Sequence, residues 1–133
     1  TFLPHSLCKK VDLIKLVTGS DAAYLDFAVS RGVDGIVVES FGRGNVPPHV
    51  IPGIARALEK GVIVVNATRT GGRVLDEYGY EGGMLQQHRM GVIMAGELSA
   101  AKARLKLLLI LSQYGPDGRP DPAEVARYFE HSM

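Results

Sequence analysis

The run DGIVVES, residues 34–40, decides the fold of this chain. Its centre, Ile36, Val37 and Val38, is apolar without alternation, so both faces of the segment need apolar neighbours. Two runs of the same kind flank it, VDLIKLV at 11–17 and GVIVVNAT at 61–68. Short, nearly continuous Val/Ile runs mark strands covered on both sides, as in a parallel sheet; a sheet with one wet face would alternate.

Between these strands lie helical patterns. In SDAAYLDFAVSRG, Ser20 or Asp21 is the cap, Leu25, Ala28 and Val29 share a face, and Gly32 is the stop. In PGIARALEKG, Pro52 stands in the first turn, Ile54, Ala55 and Leu58 face inward, and Gly61 ends the helix. Strand, helix, strand, helix, strand at this spacing builds βαβ units. A shorter fourth strand is expected in GVIMAG, 91–96, followed by a Ser99-capped helix AAKARLKLLLILSQYG, with Leu105, Leu108, Leu109 and Ser112 on one face. DPAEVARYFEH closes the pattern with Asp121 as cap, Pro122 at the first position and Glu124 at the third. There is no repeat and no low-complexity tract. The predicted fold is a three-layer α/β/α domain with a small parallel sheet of about four strands.

The bulk properties narrow the function. The chain has 133 residues, enough for one domain with one core. A net charge of +1, with Lys and Arg scattered, creates no field for nucleic acid. The longest apolar run, LLLIL at 107–111, falls far short of the ~20 residues that span a bilayer. One cysteine, Cys8, excludes an internal disulfide and fits a reducing, cytoplasmic setting. A reactive thiol beside Lys9 and Lys10 is one reading of it, and a spectator thiol the simpler one. The opening TFLPHSLCKK has no signal-peptide pattern and reads as the remnant of a linker, residues 1–10, before a domain at 11–133. An amino-terminal Thr1 acting as nucleophile would need a strand-rich scaffold that does not follow it.

In an open parallel sheet, ligands bind beyond the carboxyl ends of the strands. That rule selects three loops, any residue of which is otherwise a polar turn. They hold Thr18, Gly19, Ser20 and Asp21; Glu39, Ser40, Arg43 and Asn45; and Asn66, Thr68, Arg69, Thr70 and Arg73. The second is the best candidate. Gly42 and Gly44 allow close approach to the main chain, Pro47 and Pro48 stiffen the exit, and Asn45 carries both a donor and an acceptor. It is neither a dinucleotide fingerprint nor a P-loop. His5, His49, His88 and His131 show no metal-ligand spacing, so neither metal nor cofactor is expected. Asp76, Glu77, Tyr78, Tyr80 and Glu81, in DEYGYEGG, are acids and aromatics whose default roles are solvation and loop packing. No activated nucleophile is evident, so the domain alone is not an active site.

The blocks VDLIKL, GVDGIVVESFGRGNVPP, GVIVVNATRTGGRV and GELSAAKARLKLLLIL, in this order, resemble the C-terminal domain of the bacterial-type L-asparaginases from Val11 to Glu130. The Gly-x-Gly-Asn loop and Lys102-Ala103-Arg104 are the most specific pieces. The resemblance implies a two-domain amidohydrolase that turns L-asparagine, and in some members L-glutamine, into the acid and ammonia. It places the catalytic threonines, lysine and aspartate in an N-terminal domain that this chain lacks, so the chain alone would be inactive. It implies a homo-oligomer, a dimer or tetramer, in which Asn45 reaches a neighbouring subunit's active site and helps hold the substrate's amino end. Gly42 and Gly44 would position that loop. Arg43 departs from the Gly-Asn-Gly-Asn of many members. Some secreted members contact substrate through a Glu just before the fourth strand; a gapless match puts Met84 there, with Glu81 nearby, which suggests an intracellular type or a different contact to the amine end. Two alternatives keep the fold: the asparaginase-like subunit of a tRNA-dependent amidotransferase, and an amino-acid-binding regulatory module.

Overall fold

The computed structural model describes residues 7–74 and 80–130. Thr1, His5, Asp76, Glu77, Tyr78 and His131 lie outside the described residues. Four parallel strands, β1 (Val11–Lys15), β2 (Gly35–Ser40), β3 (Ile63–Thr68) and β4 (Ile93–Met94), stand side by side in sequence order. Register runs Val11↔Gly35, Gly35↔Ile63 and Val65↔Ile93. Helices α1 (Ala23–Ser30), α2 (Ile51–Glu59) and α3 (Met84–Met90) make the three crossovers, and α4 (Ala100–Ser112) and α5 (Pro122–Glu130) follow.

The apolar runs divide between two cores, as continuous strands require. Ile36, Val38 and Val64 turn to one face, where Leu25, Ala28, Ile54, Ala57 and Met84 from α1, α2 and α3 cover them. Val37, Ile63 and Val65 turn to the other, against Ala103, Leu107, Ile110 and Leu111 of α4 and Val125 and Phe129 of α5. With the strands added in one direction and crossovers of one hand, all crossover helices fall on one face. The opposite face is left for the helices that follow β4.

Each crossover helix ends in the same way. Gly32, Gly61 and Gly91 take positive φ, and the following Val33, Val62 and Val92 donate back to the carbonyls of Ala28, Ala57 and Gln87. These are Schellman stops, and each valine is buried as the chain turns into its strand. Gly91, expected to open the fourth strand, therefore ends α3 instead, and the strand proper keeps only Ile93 and Met94.

Two further expectations are corrected. The α4 face expected at Leu105, Leu108, Leu109 and Ser112 packs only in part: Leu108 and Ser112 are buried, but Leu105 is 52% exposed, and Leu107, Ile110 and Leu111 carry the core face. A helix apolar almost all round leaves its phase open. Gly35 sets it, because a Cβ there would stand 2.8 Å from Leu107 Cδ2 and 3.3 Å from Leu111 Cδ1. The second correction is α3 itself, which hydrophobic spacing did not suggest, because its core-facing positions are Met84 and the polar Gln87.

The caps at Ser99 and Asp121 are as expected: Ser99 Oγ accepts from the Lys102 N–H, and Asp121 Oδ1 from the Ala123 N–H. At the first helix Asp21 takes the role, accepting from the Ala23 N–H, while Ser20 Oγ closes the preceding turn onto the Val17 N–H. Glu124 Oε2 accepts from the Tyr114 hydroxyl at 3.1 Å, tying α5 to the end of α4. Lys9 is buried and joins the domain, donating to the carbonyls of Gly118 (2.6 Å) and Pro116 (3.3 Å).

Candidate functional site

The three strand-end loops differ in what their polar groups are already doing. After β1, Ser20 and Asp21 are spent on the turn and cap just described, and Thr18 and Gly19 stand exposed. At the end of β3, Asn66 is wholly buried, and Thr68 nearly so. The Thr68 and Thr70 hydroxyls lie 3.1 Å apart, and Thr70 Oγ1 donates to the Gly42 carbonyl at 3.3 Å. Arg69 lays its guanidinium over the Phe41 ring, 4.7 Å from the centroid, and Arg73 pairs with Glu97 at 3.8 Å. The loop after β3 thus braces the loop after β2.

That second loop is a closed arch. Phe41 and Asn45 form an antiparallel bridge: the Phe41 N–H donates to the Asn45 carbonyl at 2.9 Å, and the Asn45 N–H to the Phe41 carbonyl at 3.0 Å. Gly42 (φ +49°) and Gly44 (φ +114°) make the reversal. At Gly44 a side chain is excluded by space as well, since a Cβ would lie 2.9 Å from Val74 Cγ1 and 3.2 Å from Met84 Sδ. Arg43 stands exposed at the crown, and Asn45 is half-buried on the exit. Pro47 then leads into a 3-10 turn at Pro48–Val50 that runs straight into α2, so the arch is anchored at both feet.

Beneath the arch lies a buried amide network that sequence reading missed. Asn66 Nδ2 donates to the Gly44 carbonyl (2.9 Å) and to Gln87 Oε1 (2.7 Å). Gln87 Nε2 donates to the carbonyls of Gly44 (2.8 Å) and Gly82 (3.1 Å). Ser40 Oγ donates to Asn66 Oδ1 at 2.6 Å, and the Val46 N–H to the Gly82 carbonyl at 2.8 Å. Each primary amide has two N–H donors, and all four are used. Asn66 and Ser40, two of the strand-end candidates for a ligand edge, are therefore internal struts. Asn66 could be singled out in sequence as the lone polar residue in the VIVVNA run, but its partner on α3 could not.

Met84 and Glu81 separate clearly. Met84 is buried under Gly44 and faces no ligand. Glu81 is exposed and precedes Gly82, whose carbonyl receives the Val46 N–H. Glu81 and Asn45 thus flank the same hydrogen bond from two segments of chain. Beside Glu81 a shallow cleft of about 440 Å³ is lined by Tyr80, Leu85, Gln86, Arg89 and Met90. A larger cleft, about 690 Å³, lies along β4 and α5, lined by His88, Ile93, Met94 and Phe129 among others; Asn45 is not part of it.

The perturbed titrations lie on the helices or, for Tyr114, in the turn after α4. Asp26 is held below the usual aspartate range by its hydrogen bonds from Arg56, which donates through Nε (2.9 Å) and Nη2 (2.8 Å). Burial pushes the Tyr114 phenol up and the Lys106 ammonium, which sits over the Phe129 ring, down. No cluster of three His, Cys, Asp or Glu side chains among the described residues could hold a metal ion. The Cys8 thiol donates to the Ser112 carbonyl at 3.8 Å. With the Ser20, Ser40, Thr68 and Thr70 hydroxyls committed to structure, the arch is suited to presenting a side chain to a ligand.

Known proteins match this domain closely. The glutaminase/asparaginase C-terminal domain family matches residues 10–129. An L-asparaginase of Bacillus licheniformis is 38% identical over 78% of this chain and 33% of its own length. A probable L-asparaginase of Deinococcus radiodurans is 40% identical over 84% of this chain and 34% of its own. A glutamyl-tRNA(Gln) amidotransferase subunit of Pyrococcus furiosus is 36% identical over 83% of this chain and 25% of its own. The chain thus spans about a third or less of the length of these curated relatives. Sheet order, arch and matched length together make this chain a member of the glutaminase/asparaginase C-terminal domain family.

Proposed function

We propose that this chain is the C-terminal domain of an L-asparaginase, a homo-oligomeric amidohydrolase that converts L-asparagine to L-aspartate and ammonia, with L-glutamine as a second substrate class. The catalytic groups belong to an N-terminal domain, so the 133-residue chain by itself does not hydrolyse asparagine. Its part is to complete the substrate site of a neighbouring subunit. Asn45 is the group delivered, Gly42 and Gly44 shape the arch that delivers it, and Glu81 offers a carboxylate on the same side. A reducing, cytoplasmic compartment suits the free Cys8.

One observation carries this reading: both peptide groups flanking Asn45 are hydrogen-bonded, while its side chain is half-exposed on the arch. A fixed backbone under an accessible amide suits recognition of a small zwitterion, because little freedom remains to be lost on binding. The test is Asn45→Ala in the full-length enzyme. KM for asparagine should rise by about tenfold or more, the worth of one good hydrogen bond, with a smaller change in kcat. Unchanged kinetics would remove Asn45 from the site.

The amidotransferase relatives favour a second reading, in which the same domain serves an ammonia-producing subunit that supplies a tRNA-linked reaction. Asparagine hydrolysis by the full-length protein that is insensitive to added partner subunit and charged tRNA would exclude it.

A further inference from the structure

We propose that Gln87 is a positioning residue for Asn45, holding the arch in its ligand-presenting shape; this rests on Asn45 being a substrate contact. Two peptide groups define where the Asn45 side chain starts. The Gly44–Asn45 peptide is held at its carbonyl by Asn66 (2.9 Å) and Gln87 (2.8 Å), and at its N–H by the Phe41 carbonyl (3.0 Å). The Asn45–Val46 peptide is held at its carbonyl by the Phe41 N–H (2.9 Å) and at its N–H by the Gly82 carbonyl (2.8 Å). Gln87 Nε2 touches both assemblies, since it also donates to that Gly82 carbonyl at 3.1 Å. One buried amide therefore sets the Asn45 arm and the Glu81–Gly82 segment in a common frame.

Core volume alone does not call for glutamine here. A buried amide is costly unless every donor is met, and an apolar residue of the same size would fill the space without that demand. At Gln87 both donors are met by carbonyls of irregular backbone, and the amide oxygen by Asn66. Those carbonyls have no regular ladder to join, so without Gln87 the arch and the 82 turn keep only the Val46 N–H bond between them, and the Gly44 carbonyl keeps only Asn66. Asn66 holds the same Gly44 carbonyl from β3, which gives the arch one support from the sheet and one from α3.

The test uses the full-length enzyme and three variants: Asn45→Ala, Gln87→Asn and Asn45→Ala/Gln87→Asn. Gln87→Asn keeps a buried amide but leaves it one methylene short of its partners, so it loosens the arch while changing the core little. Gln87→Asn should raise KM roughly tenfold, an amount equal to one net hydrogen bond, with kcat within about threefold of wild type. In the Asn45→Ala background the same change should raise KM no more than about twofold, because its effect passes through Asn45. Amide exchange should quicken at 42–46 and 81–83 and nowhere else. Equal losses in both backgrounds, or exchange that quickens across the whole sheet, would leave Gln87 a stability residue only and overturn the proposal. An unchanged KM in Asn45→Ala would overturn the underlying reading, and the proposal with it.

Discussion

Asn66 and Gln87 meet amide to amide in the interior, with Asn66 Nδ2 donating to Gln87 Oε1 at 2.7 Å and neither residue exposed to solvent. Asn66 comes from β3 and Gln87 from α3, so this contact joins the sheet to a crossover helix directly under the arch that carries Asn45.

Replacing Asn66 by Leu removes two donors at once and leaves the Gln87 amide oxygen buried without its partner. The cost should be about 2–4 kcal/mol of unfolding free energy, since each orphaned buried polar group costs about 1–3 kcal/mol. Urea titration of the 133-residue chain reads this directly. A loss below about 1 kcal/mol would mean that water or a rearranged Gln87 replaces the bond.

Gly44 and Gly42 both take positive φ but should respond differently to alanine. Gly42→Ala meets open space and carries only the backbone penalty, about 1 kcal/mol. Gly44→Ala adds a collision with Val74 and Met84, side chains packed in the core, and should lose about 1–3 kcal/mol more. Thermal melts of the two variants side by side check the order; equal losses would remove the packing argument.

The packed face of α4 separates two leucines two positions apart. Leu107→Ala opens a cavity over Gly35 and should cost about 2–5 kcal/mol. Leu105→Ala, half in water, should change stability by less than about 0.5 kcal/mol. If Leu105→Ala proves the costlier in the isolated domain, the helix is turned the other way.

Acid should weaken the Asp26–Arg56 link between α1 and α2. Asp26 is held below its ordinary value of 3.8 in the folded chain, so its contribution is present above that value. It is lost as pH falls through the lower folded value. Both side chains are largely exposed, so solvent and salt screen the pair and the effect is small. Arg56→Met should lower Tm slightly at neutral pH and leave it unchanged well below the aspartate range. A Tm difference that persists in strong acid would point to packing of the Arg56 stem instead.

The parallel sheet was legible because three Val/Ile runs needed cover on both faces and the first two crossovers offered a helix start, at Asp21 and Pro52, and a glycine stop. The Gly-Val pairs at 32–33, 61–62 and 91–92 carry more than local spacing suggests. The third marks the end of α3 as plainly as the first two mark α1 and α2. What hid α3 was Gln87, a polar residue at a core-facing position, which breaks the apolar spacing by which helices are found. The phase of α4 was hidden for the opposite reason: too many apolar residues, with the choice left to Gly35 on another element.

By itself the sequence determined the three-layer architecture, the parallel strands, the main caps and the arch at Gly42–Asn45. All of these follow from local backbone preference and from apolar periodicity within one segment. Only the tertiary structure decided which polar groups at the strand ends are internal struts and which stand exposed. That distinction depends on partners far apart in sequence: Ser40 and Asn66 find theirs in Gln87, Gly44 and Ala67, and so turn inward. A buried amide and a ligand-binding amide are the same residue type until the surrounding fold shows which of their hydrogen bonds are already made.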